Sequence, residues 1–250
     1  MAFWDYYVPG RLREYDLILA AGDLNSSYLS FIVTMARAPV MYVHGNHDTG
    51  YEERPPEGCD SIDGQIVEYR GLRILGLGGC RKYRPGAHQY TEREMRRRIR
   101  RLRWQIAKYG GVDIVLTHTP PEGVGDSEDI AHRGFKSFLE VIDEYHPKYL
   151  LHGHVHMSYG MHIQREREYH GTQVINVCEK YVIDIPKEEC ESWKKPTFVE
   201  RVKFFLKKQP LASPIGGGEP RSGGGGVVLD ERTLPQSASL TAPSERGPRS

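Results

Sequence analysis

Leu151-His152-Gly153-His154-Val155-His156 is an apolar strand-like run that ends in a glycine and alternating histidines. In an extended backbone, residues i and i+2 project to the same face, so His154 and His156 are placed to reach one point. That point is either solvent or a metal ion, since imidazole is a common ligand. The pair alone leaves both readings open.

Working outward, three earlier apolar runs end in the same way. Residues 17–20 break at Gly22-Asp23, residues 39–43 end at His44-Gly45-Asn46-His47-Asp48, and residues 113–116 end at Thr117-His118, before Thr119-Pro120-Pro121 stops any regular element. Ligands gather at the carboxyl ends of strands in open α/β sheets. Asp23, Asn46, His118, His154 and His156 would therefore supply oxygen and nitrogen donors to one region. Without a thiolate, this set suits Mn, Fe, Zn or Ni better than a structural zinc site. A carboxylate bridging two divalent ions would lower the pKa of a shared water and supply hydroxide at neutral pH. Phosphoester hydrolysis is the natural chemistry of such a clamp.

The remaining elements surround these strands. Ser26 or Ser27 can cap a helix over residues 28–37, and residues 50–64 read as a loop. Residues 65–69 and 72–77 form a strand pair turned at Arg70-Gly71. Thr91 and Glu94 make a capping box for a helix to about Tyr109, with Met95, Ile99, Leu102 and Ile106 as its inner stripe. Residues 134–145 read as an amphipathic helix stopped by Pro147, and residues 174–177, 181–185 and 197–206 as strands. Residues 1–208 are thus one domain. From residue 209 to 250 the chain is rich in Gly, Pro, Ser and Thr, and a disordered tail is expected.

Lys plus Arg (34) balance Asp plus Glu (33), so no global field draws the chain to nucleic acid or membrane. The four cysteines are scattered without a CxxC pair, which fits reduced thiols in the cytoplasm. The N-terminus lacks the pattern of a secretory signal, and no apolar run approaches the roughly 18–20 residues that span a bilayer. Seven arginines lie between Arg93 and Arg103. With the apolar stripe turned inward they read as a solvated helix face, nucleic-acid contact is not favoured, and no membrane partner is expected. Arg81, Lys82 and Arg84 read as a solvated loop, with a substrate phosphate as the alternative. Tyr51 and Tyr83 are candidate pocket walls, and Asn176 either holds a loop near the ligands or caps a strand. His44, His88, His132, His146, His152, His162 and His170 lack ligand spacing and read as structural or surface residues. The sequence is silent on oligomeric state.

Taken in order, Gly22-Asp23, Gly45-Asn46-His47-Asp48, Thr117-His118 and Gly153-His154-Val155-His156 resemble the motif series of the calcineurin-like metallophosphoesterases, over roughly residues 15–206. The resemblance implies a four-layer α/β/β/α sandwich. It implies that Asp23 bridges two metals, of which Mn is the leading candidate. Asn46, His118 and His154 would complete one site and His156 would serve the other. His47 would sit beside the phosphate as a catalytic residue, oriented by Asp48, while a metal-bound hydroxide attacks phosphorus in line. The substrate would be a phosphate mono- or diester.

The resemblance has one gap. The family's first motif, an Asp-x-His at the end of a first strand, has no counterpart, because the first histidine is His44 and the only earlier aspartates are Asp5 and Asp16. The fold is therefore expected to lack its first strand, and the centre to hold at most one metal here, against two in a complete protein. Either the native start lies upstream or the chain is a degenerate member. The former is preferred, since the strand itself is missing along with its ligands. The leading expectation is a metal-dependent phosphoesterase, the alternative a catalytically impaired scaffold that binds partners, and the third a nuclease using the arginine-rich helix.

Overall fold

In the computed structural model, residues 4, 7–156, 164–191, 193–207 and 236–240 are described. Asp5, His162 and most of the expected tail (209–235 and 241–250) lie outside them.

The elements run β1 (Tyr15–Ala20), α1 (Ser26–Met35), β2 (Val40–Tyr42), a 3-10 turn (Asp48–Glu52), β3 (Asp60–Ser61), β4 (Gln65–Tyr69), β5 (Leu72–Leu77), β6 (Cys80–Arg81), β7 (Gln89–Tyr90), α2 (Glu92–Tyr109), β8 (Ile114–Thr117), α3 (Lys136–Tyr145), β9 (Tyr149–His152), β10 (Glu166–Tyr169), β11 (Thr172–Asn176), β12 (Lys180–Asp184), α4 (Lys187–Glu191), α5 (Phe198–Lys207) and β13 (Gln236–Leu240). They build two main sheets. One has the order β12-β13-β1-β2-β3 and the other β10-β11-β9-β8-β5-β4. In the second, β5, β8, β9 and β11 pair in parallel, and antiparallel β4 and β10 close the edges.

Strand alternation explains the layering. Leu17, Leu19, Met41 and Val43 of the first sheet meet Ile74, Ile114, Leu116, Leu151 and Ile175 of the second in one inter-sheet core. The intervening residues turn outward. Ile18, Ala20, Val40 and Tyr42 pack on Tyr28, Leu29 and Ile32 of α1. Leu75, Val115, Leu150 and Val174 pack on Met95, Ile99, Leu102 and Ile106 of α2 and Phe138, Val141 and Ile142 of α3. Strands covered on both faces must be apolar throughout, which is why they read as continuous runs. The architecture is the α/β/β/α sandwich.

Four details differ from the expectation. Residues 197–206 form helix α5 instead of a strand. Its Val and Phe content favours strands, but Thr197 and Glu200 form a capping box, with the Thr197 N–H donating to Glu200 Oε2 at 2.7 Å, and Phe204 docks onto the core beneath α2 and α3. Residues 50–64 hold the end of the 3-10 turn and the short strand β3 beside β2. The cap of α1 is Asn25, whose Oδ1 accepts the Ser27 N–H at 2.8 Å. In the expected disordered tail, residues 236–240 form strand β13, parallel to β1 and antiparallel to β12. Strand β1 is thus flanked, on the side away from β2, by a strand from the other end of the chain. An open strand edge offers unpaired N–H and C=O groups, and β13 satisfies them.

Leu116 is fully buried between the sheets. Replacing Leu116 with Ala should cost about 2–5 kcal/mol, whereas Thr91→Ala, which removes only the α2 cap, should cost about 1 kcal/mol. Urea unfolding of the two variants checks this ordering.

Candidate metal centre

The loops after β1, β2, β8 and β9 meet at one end of the sheets. Their approach requires glycine. A Cβ at Gly22 would overlap the backbone N of Gly45, and one at Gly45 would overlap Asp23 Oδ1. Asp48 then ties the loops together, its Oδ2 accepting the N–H of Gly45 at 2.7 Å and of Asp23 at 2.9 Å. In return the His47 N–H donates to Asp23 Oδ1 at 2.8 Å.

Asp23, His118 and His154 bring ligand-type atoms within 4.8 Å of one another. His118 is fully buried, and its Nδ1 donates to the Ala21 carbonyl at 2.7 Å. The lone pair of its Nε2 therefore faces Asn46 Oδ1 at 3.1 Å and Asp23 Oδ2 at 3.3 Å. Three lone-pair atoms turned on one another need a cation among them, either a proton or a metal ion. The residues present fit a divalent metal, which would be held by Asp23, Asn46, His118 and His154. Burial pushes the Asp23 carboxyl up, but the His118 charge and hydrogen bond and the His47 N–H outweigh it and hold the group well below the usual carboxylate range. His118 is the counterpart: burial opposes its protonation and the Asp23 carboxylate overcomes it, raising its pKa.

His154 departs from the strand-alternation premise. Strand β9 ends at His152, and His154 adopts φ +65°, in the left-handed region. The two histidines are therefore not equivalent. His154 joins the group, its ring 4.7 Å from that of His118, while half-buried His156 stands outside it. Nε2 of His154 donates to the Ala131 carbonyl at 2.8 Å, leaving Nδ1 as the lone-pair atom. Burial, then the neighbouring His118, lowers the His154 pKa to about 3, so the ring is neutral and able to ligate at pH 7. Asp23 shares the left-handed strain at φ +58°, a conformation concentrated at functional sites.

His47 is exposed, with backbone angles φ −101° and ψ 0°. Asp48 acts on it through the backbone: its carboxylate is buried against the Gly45 and Asp23 N–H groups, and burial followed by the Asp23 charge pushes its pKa up to about 6. Further contributors surround the group, of which the sequence raises Tyr83 and Asn176 but gives no signal for Ala21 and Ala131. Ala21 and Ala131 act through their carbonyls, and His132 lies with its ring 5.0 Å from that of His154. Tyr83 reaches the centre as its hydroxyl accepts from Asn46 Nδ2 at 3.4 Å. Asn176 holds the histidine loop, donating to the Val155 carbonyl at 2.8 Å.

A second group, His44, Asp63 and His88, also clusters ligand-type atoms. Its geometry suits a knot better than a metal. The two imidazoles stack at 4.4 Å with 9° between planes, so their in-plane lone pairs run side by side, and Asp63 Oδ1 takes the Gly78 N–H at 2.6 Å and Arg98 Nη2 at 2.7 Å.

Residues 2–158 match the family model described as calcineurin-like phosphoesterase. The chain belongs to this family. Two relatives from Caenorhabditis elegans are UPF0046 protein T07D4.2, 27% identical over 159 residues (59% of this chain, 37% of that protein), and UPF0046 protein K07C11.7, 25% identical over 179 residues (58% of each). The chain thus spans between about a third and three fifths of these relatives' lengths. Among solved structures, the protein TT1561 of Thermus thermophilus aligns with a TM-score of 0.44 at 16% identity, covering 66% of this chain and 80% of that one.

The packing of the loops sets the effect of two substitutions. Gly45→Ala displaces Asp23 and should lower Mn affinity at least about tenfold, as read by calorimetric titration, while the fold persists by circular dichroism. Asp63 is drawn down to about 2: burial opposes this, and hydrogen bonds from His44 and Gly78 together with the Arg98 charge prevail. A lowered folded pKa stabilises above the ordinary carboxylate value, and the gain disappears as pH falls through about 2. Asp63→Asn should therefore cost about 2 kcal/mol at neutral pH, with the gap to the parent chain narrowing below about pH 4 in urea titrations.

Proposed function

We propose that this calcineurin-like phosphoesterase hydrolyses phosphate mono- or diesters with divalent metal held by Asp23, Asn46, His118 and His154, Mn being the leading candidate. The observation that carries the reading is the convergence of Asp23 Oδ2, Asn46 Oδ1 and His118 Nε2 on one position, with a His154 ring nitrogen also within ligand reach. When bound, such an ion neutralises phosphoryl oxygens and lowers the pKa of water to near neutrality.

The chain's own residues then divide the remaining work. Asp23, held ionised, supplies negative charge at the centre of the group. The carbonyl of Ala21 keeps the proton of His118 on Nδ1, and the carbonyl of Ala131 keeps that of His154 on Nε2, so each ring presents one fixed lone pair. His47 is the exposed imidazole of the same loop, and it is assigned to donate a proton to the leaving oxygen or a hydrogen bond to the phosphoryl group. Its backbone bond to Asp23 couples its position to the ligand set. Half-buried His156 would serve a second ion from outside this group.

The test is hydrolysis of an aryl phosphate monoester and diester by the chain loaded with Mn, Fe, Zn or Ni. His47→Ala should lower kcat by about 10²–10⁴-fold with bound metal unchanged by elemental analysis. His118→Ala should lose the metal as well. Absence of turnover with every ion in the metal-loaded chain would overturn the enzymatic reading and leave a metal-binding scaffold.

A further inference from the structure

Helix α2 has two faces with separate duties. Of its seven clustered arginines, three are tied to acids: Arg96 to Glu140, Arg98 to Asp63 and Arg103 to Glu144. The other four, Arg93, Arg97, Arg100 and Arg101, are exposed and, among the described residues, have no carboxylate within ion-pair distance. With exposed Lys108 they fall at helical spacings of four, seven, eight and fifteen, which is one face about 22 Å long. Trp104, 46% exposed, sits within that stripe.

The neighbouring helix supplies what a merely solvated face would lack. Helix α5 lies against α2, with the Phe205 ring 5.4 Å from Trp104 and under the Arg103 guanidinium, and Phe204 turned to Tyr145. With that inner face spent, Phe198 (68% exposed), Val199 (59%) and Leu206 (73%) stand on the outside, flanked by exposed Lys203 and Lys207. The cationic stripe and the apolar ridge thus border each other on one outer surface. Large apolar side chains beside cations are the composition of a helix that adsorbs at a lipid headgroup boundary.

From this juxtaposition we infer that the α2–α5 face docks the protein peripherally on an anionic bilayer surface, with Arg93, Arg97, Arg100 and Arg101 meeting lipid phosphates and Phe198, Val199 and Leu206 entering the headgroup region. A single-stranded nucleic acid would suit the cations, and a base could stack on Trp104, but it would leave the α5 ridge in water. The bilayer covers both. No helix among the described residues is long and apolar enough to cross a membrane; adsorption requires no such helix.

The experiment uses the full chain with vesicles of phosphatidylcholine alone or with about 30 mol % phosphatidylserine at about 0.15 M salt. The chain should co-sediment with the anionic vesicles only, and less as salt rises. Each cation near the surface strengthens binding about fivefold, so the pair Arg97→Glu with Arg101→Glu should weaken it at least about 25-fold. Leu206→Asp should weaken it about tenfold with an unchanged melting curve, as the side chain is exposed, and aryl phosphate hydrolysis should persist in all variants. The inference falls if anionic vesicles are not bound or are bound no better than neutral ones. It falls too if the glutamate pair binds like the parent. Binding of a single-stranded oligonucleotide as tightly as vesicles, insensitive to Leu206→Asp, would assign the face to nucleic acid. Dimerisation abolished by Leu206→Asp would assign the ridge to a second copy.

Discussion

The Asp48 carboxylate fixes the centre on which the rest of the site depends. One oxygen draws in the N–H groups of Gly45 and Asp23, so the loops after β1 and β2 are tied at a single atom. Nothing larger than glycine fits at positions 22 and 45, because the loops approach too closely for a Cβ. The consequence reaches the chemistry directly. With the Asp23 N–H anchored on Asp48 and the His47 N–H returned to Asp23 Oδ1, one carboxylate organises backbone and another organises charge. Asp48, though named by the motif, therefore acts as a support for the loop that carries His47.

The same arrangement explains why strain can persist there. Asp23 and His154 both adopt left-handed backbone conformations, each costing about 1–3 kcal/mol for a residue with a side chain. The sheets supply the stability that tolerates this, since the residues immediately upstream lie in a core covered on both faces. Each strained residue is also held from outside its own loop. Asn176 bonds the Val155 carbonyl, the Ala131 carbonyl takes the His154 ring, and Asp48 takes the Asp23 N–H. Rigid strands followed by over-determined turns place four donors from four distant segments around one point.

The strands were legible in the sequence because they are buried on both faces, which makes apolar runs, and because each run stops at a glycine or polar ligand. Asp23, Asn46, His118 and His154 could be named for the same reason. What the sequence obscured was orientation. Alternation makes His154 and His156 equivalent only while the backbone stays extended, and β9 stops at His152. Helix α5 reads as a strand because Val and Phe suggest one, although Thr197 and Glu200 carry the same cap signature that locates α2 at Thr91 and Glu94. Carbonyls such as those of Ala21 and Ala131 leave no trace in residue type, so no reading of side chains would find them. Strand β13 is hidden for a related reason: it answers an open edge, a property of the fold and not of its own composition.

The arginine-rich helix shows why a charge count alone decides little. The chain carries a formal net charge of +1, and a balanced total invites the conclusion that no polyanion is attracted. The total says nothing about placement. The acids of α3 and Asp63 neutralise the side of α2 that faces the second sheet and its neighbours, and this pairing is what separates the inner arginines from the outer ones. At physiological salt a field decays within about 8 Å, so acids on distant elements do not cancel the outer stripe for a surface in contact with it. Pairing on the inside thus leaves the outer arginines without an ion-pair contact among the described residues, exposed Glu94 being the acid of the same helix whose field reaches Arg97. The local field, not the global sum, is what an approaching surface meets.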